Sequence, residues 1–117
     1  MQTAPGATTV ESLLEDMLQS HLVDSADVAR VLGTSVRSVN RWMSSAAAPR
    51  RNSEERLLEL KAVLDLLQDV LRAEPARLWL RSPQPGLHYE KPIDLIEQGE
   101  YRRVIAAVLA LAEGVTA

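Results

Sequence analysis

Apolar residues in this chain recur every three or four positions, and alternating strand patterns are absent. That spacing restricts the chain to helices, because a helix face repeats every 3.6 residues and a half-buried strand every 2.0. The longest instance is the stripe Leu57, Leu60, Leu64, Leu67 and Leu71. Leu58, Val63, Leu66 and Val70 widen it. A stripe that broad implies packing on two sides, against the chain's own core and against a second copy. The five leucines are therefore expected to carry a homodimer contact. The fold class that follows is all α, with no internal repeat. Aromatics are 3% and Phe is missing, so Leu, Val, Ala and Ile must build the core.

The helices can be placed by their start and stop signals. One begins at Val10 and carries Leu13, Leu14, Met17 and Leu18. A second starts with Ser25 as its cap and stops at Gly33; a third starts after Ser35. Residues 44–52, with Pro49, read as a linker. Ser53 then opens the longest helix, with Glu54 and Glu55 suiting the helix dipole. Pro75 is placed at the first position of a short helix that reaches Arg81, and Ser82-Pro83-Gln84-Pro85-Gly86 breaks it. Lys91-Pro92 starts another short helix closed by Gly99, and a last helix runs over residues 100–113. The organisation expected is a tail at 1–9, a helix-turn-helix domain at 10–51 and a helical interaction and oligomerisation domain at 52–117.

Composition excludes several classes of function. There is no cysteine, which removes disulfides, thiolate metal sites and thiol catalysis. The two histidines, His21 and His88, stand apart from any Ser nucleophile motif. His88 and Tyr89, in a Pro-flanked loop, read as surface residues. The glycines are too scattered to form a phosphate loop. The expectation is a non-enzyme that needs no cofactor and no metal. No apolar run approaches the ~20 residues of a membrane span, so no membrane partner is expected and the cytoplasm is the expected location.

The net charge of −3 argues against nucleic-acid binding through bulk charge, yet the charge is unevenly spread. Arg30, Arg37, Arg41, Arg50 and Arg51 fall in one stretch without an acid. The same stretch has helix-turn-helix spacing. Ala29 permits close approach, Gly33 permits the turn, and Val39 and Trp42 give the second helix an inward face. Ser35, Arg37, Ser38, Asn40, Arg41 and Ser44 are then left outward or on the flanks. Arg reads guanine, Asn reads adenine, and Ser reaches phosphate or a base edge. With Arg50 and Arg51, these are the candidate DNA-binding residues. So few cations bind weakly alone, so an oligomer on repeated half-sites of operator DNA is expected.

From Leu57 onward the chain resembles the toxin-binding domain of the Xre/MbcA/ParS antitoxin family. The resemblance is carried by Arg77-Leu78-Trp79-Leu80, Ser82-Pro83, Lys91-Pro92-Ile93-Asp94-Leu95-Ile96, Gly99-Glu100-Tyr101-Arg102-Arg103-Val104 and Leu111-Ala112-Glu113-Gly114-Val115. The preceding helix-turn-helix fits as well, so it spans nearly the whole chain. The resemblance implies the antitoxin of a toxin–antitoxin pair, whose partner is a RES-domain toxin that consumes NAD. It implies that the C-terminal region blocks the toxin's active site, and that the helix-turn-helix represses the operon. Toxin contact would fall on Trp79, Pro83, Asp94, Gly99, Glu100, Arg102, Arg103, Glu113, Gly114, Val115, Thr116 and Ala117. The alternative is a helix-turn-helix transcriptional regulator whose second half only dimerises. An adaptor for an unrelated protein stands third.

Overall fold

The structure, a computed structural model, describes residues 9–114. Among these residues seven α-helices follow one another: α1 (Val10–Gln19), α2 (Ser25–Leu32), α3 (Val36–Met43), α4 (Arg51–Val70), α5 (Ala73–Arg81), α6 (Pro92–Glu97) and α7 (Tyr101–Ala112). A single 3₁₀ turn, Pro85–Leu87, lies between α5 and α6. Among the described residues no strand forms; one isolated antiparallel bridge joins Gln84 to Glu90. Nor is any helix there long and apolar enough to cross a membrane. Most of the expected tail, and the C-terminal candidates Val115, Thr116 and Ala117, lie outside the described residues.

Local chemistry sets the boundaries. The Thr9 hydroxyl accepts from the Ser12 amide at 3.0 Å and starts α1. The cap of α2 is Asp24, one residue before the expected Ser25, because its carboxylate accepts the Asp27 amide at 2.8 Å. The Asp27 carboxylate accepts the Asp24 amide at 3.0 Å in return, closing a reciprocal box. Gly33 ends α2 at φ +68°, a left-handed conformation that favours glycine. Ser35 caps α3 by accepting the Ser38 amide at 3.1 Å. The longest helix opens at Arg51 rather than Ser53, without any side-chain cap. α5 opens at Ala73, so Pro75 stands third and not first. It is still tolerated, since amides of the first turn have no intrahelical partner.

The core is continuous from Leu13 to Val108. α4 is its axis and touches α1, α2, α5, α6 and α7. This corrects the expected dimer role of the leucine stripe. Leu57, Leu60, Leu64 and Leu67 are fully enclosed by the chain's own helices, and Leu71 is half-buried against the same core. The stripe is two-sided, but both sides pack within one chain, which leaves Leu57, Leu60, Leu64 and Leu67 no surface for a second copy.

Candidate functional site

α2 and α3 are joined by the short Gly33–Ser35 turn. Val39 and Trp42 turn inward and are buried, with Val28, Ala29 and Leu32 beneath them. That fixes the opposite face of α3. Arg37, Asn40 and Arg41 are exposed there, as are Ser35 and Ser44 at its ends. Ser38 is half-buried, and its hydroxyl meets that of Ser35 at 3.1 Å. Arg50 and Arg51 are also exposed, where α4 begins. A cleft of about 580 Å³, lined by Thr34, Ser38, Trp42, Arg50 and Ser53 among others, joins α3 to that start. Of the eight candidates, Ser38 and Arg50 line this cleft. The uncapped amides of α4 add the positive end of a helix dipole to the same cleft.

The second set divides. Asp94, Gly99, Glu100, Arg102 and Arg103 gather where α6 meets α7. Glu113 and Gly114 stand at the other end of α7, about 20 Å away at 1.5 Å per residue. Arg103 reaches Glu100 at 3.3 Å and Glu90 at 3.4 Å. Arg102 is exposed, its guanidinium 6.0 Å from the centre of the Tyr101 ring. Pro83 is exposed in the turn after α5. Trp79 is different. It is 8% exposed and belongs to the core, so only a sliver of the ring is open to a partner.

Two arginines, Arg30 and Arg81, tie this second half to the first, and a third, Arg56, ties α4 to α6 within the second half. Arg30 of α2 pairs with Asp94, and with Glu97 at 3.0 Å. Its pKa is raised, first by the hydrogen bond to Asp94. Arg30 is therefore committed to α6 and not held with the other cations of its stretch. Arg81 of α5 pairs with Asp27 and donates to the Leu22 carbonyl at 2.9 Å. Arg56 of α4 donates to the carbonyls of Ile96 and Glu97, at 3.2 and 2.6 Å, and so satisfies the end of α6. Gly99, at φ +87°, makes room for it: a Cβ there would lie 3.2 Å from the guanidinium. None of these ties was legible in the sequence, because the partners lie 40 or more positions apart. Among the described residues, no group of three or more His, Asp or Glu is placed to hold a metal.

Residues 66–114 match the family described as the antitoxin Xre/MbcA/ParS C-terminal toxin-binding domain. The chain is 38% identical to the mycobacterial cidal antitoxin MbcA of Mycobacterium tuberculosis, over 93% of each protein. It is 30% identical to a probable mycobacterial cidal antitoxin of that organism, over 88% of each. The fold is similar to a chain in the crystal structure of the M. tuberculosis MbcT–MbcA toxin–antitoxin complex. The TM-score is 0.83 at 35% identity, with 95% of this chain and 100% of that chain covered.

Proposed function

Since the chain belongs to the Xre/MbcA/ParS antitoxin family, we propose that it neutralises a RES-domain, NAD-consuming toxin by blocking the toxin's active site. The observation that carries this reading is the likeness of nearly the whole chain to one from a solved toxin–antitoxin complex. Residues 52–117 are the toxin-binding part. The α6–α7 corner, with Asp94, Gly99, Glu100, Arg102 and Arg103, supplies charge-assisted contacts to the toxin's rim. Glu113, Gly114, Val115, Thr116 and Ala117 then enter the pocket. Beyond Glu113 that segment carries no charged side chain, which lowers the desolvation cost of entering a narrow pocket.

Residues 10–51 are the DNA-binding part, and the protein represses its own operon in the cytoplasm. This reading is supported by the exposed Arg37, Asn40 and Arg41 on one face of α3. These are the side chains that read guanine and adenine in a major groove. Arg50 and Arg51 would neutralise flanking phosphates.

The test is NAD consumption by the product of the adjoining gene, with and without this protein. NAD should fall with the product alone and be spared at stoichiometric mixing. A neighbour that leaves NAD untouched and does not bind would overturn the toxin assignment. The exposed α3 face would then favour a DNA-binding regulator.

A further inference from the structure

The segment between α5 and α6 carries two consecutive non-glycine residues in the left-handed region, His88 at φ +54° and Tyr89 at φ +63°. L-residues adopt that conformation at a cost, and it persists only where the surroundings impose it. Here they do. The Tyr89 amide donates to the Gln84 carbonyl at 2.8 Å, and the Gln84 amide donates to the Glu90 carbonyl at 3.1 Å. The Gln84 side chain in turn donates to the carbonyls of Trp79 and Ser82, at 3.0 and 3.2 Å. Leu87 is buried and anchors the turn from below. What this rigid loop presents is Tyr89, 71% exposed, more than any other large apolar side chain among the described residues.

Beside the loop lies a groove of about 320 Å³, between Gly86 and His88 on one wall and Ala106 and Ala110 of α7 on the other. The groove is open because Gly86, Ala106 and Ala110 are small. Arg103 lines the same groove, but Glu90 and Glu100 accompany it, so no unbalanced positive charge is left for a phosphate. An apolar side chain suits this groove better than a nucleic-acid backbone does. The loop and groove fall wholly within residues 66–114, the part that matches a toxin-binding domain. The candidate DNA-reading residues stand on α3 instead.

We propose that Tyr89 and this groove are a docking point for the toxin, a contact which rests on the antitoxin reading above. The exposed ring, carried on a fixed backbone, lies flat on the toxin surface, and an apolar side chain of the toxin enters the groove. A tyrosine whose backbone is fixed in advance has only its two side-chain torsions left to order on binding, which suits it as an interface anchor.

The test is calorimetric titration of the full chain with the product of the adjoining gene. Tyr89→Ala should weaken binding by about 30-fold or more, the scale of an interface anchor. Ala106→Arg, at an exposed position of α7, should fill the groove and weaken binding independently, and it decides the matter if Tyr89→Ala lowers the unfolding midpoint. Wild-type affinity in both variants would overturn the docking point while leaving the antitoxin reading intact. Failure of the wild type to bind would overturn both. Unchanged toxin affinity with altered self-association in light scattering would assign the patch to a second copy, and this proposal would fall.

Discussion

Asp24 heads α2 with its carboxylate on the Asp27 amide, and that hydrogen bond is the first cause of its lowered pKa. Arg81 nearby acts in the same direction, and partial burial opposes both. Because the folded-state value lies below the unfolded one, the carboxylate stabilises the fold fully above the ordinary carboxylate value of about 3.9. That contribution is lost as pH falls through the folded-state value. Asp24→Ala should therefore cost about 1 kcal/mol at neutral pH, the usual scale of a lost helix cap. In urea titrations, the gap between variant and wild type should narrow below pH 4. A gap that stayed constant with pH would mean the carboxylate charge contributes nothing. The same scale explains why Ser25 misleads as a cap. Asp24 and Ser25 are both good capping residues, and the reciprocal partner Asp27, three positions on, selects the first.

At the scale of the element, α4 is a ruler for the whole packing. Leu60 is fully enclosed, whereas Leu58 on the same helix is 49% exposed. Leu60→Ala should cost 2–5 kcal/mol, the range for an emptied core site. Leu58→Ala should stay within about 0.5 kcal/mol, as surface substitutions do. Chemical unfolding of the two variants checks the assignment; equal losses would contradict the helix orientation. α3 has its own expectation. Arg41→Ala should weaken operator binding and spare toxin neutralisation, measured by gel shift and NAD consumption on one preparation. Arg50→Ala should reduce the slope of log affinity against log salt by about one. Loss of both activities in Arg41→Ala, with the fold intact, would overturn the division of labour between the two halves.

Across the whole molecule, the proposed division of function is not a division of folding. α1 and α2 pack directly on α4, and α2 also packs on α6. The Arg30 pairs with α6 add direction to this contact more than energy, since solvent-exposed ion pairs contribute at most about 1 kcal/mol each. Trp42 lies in the first half and Trp79 in the second, both buried. Trp42→Phe and Trp79→Phe variants, each followed by the remaining indole, should report an unfolding transition that matches helix loss by circular dichroism. Two separated transitions within one variant would mean that the halves fold independently.

The amino-acid order alone determined that this chain is helical, where most of its helices lie and which face of α3 is buried. Those properties depend on neighbours three to six positions apart, within reach of a hydrophobic period, a cap or a glycine stop. It also carried the family, through the ordered segments around Trp79, Pro83, Asp94 and Gly99-Glu100. The tertiary structure decided what lies against the broad face of α4. Apolar width states how much surface must be covered, but the covering helices come from both ends of the chain. It likewise drew Arg30 out of its basic stretch toward Asp94, a partner 64 positions away. Finally, it raised Tyr89 into solvent. No glycine stands at the two left-handed positions themselves; a network of backbone hydrogen bonds and the buried Leu87 impose that conformation on His88 and Tyr89.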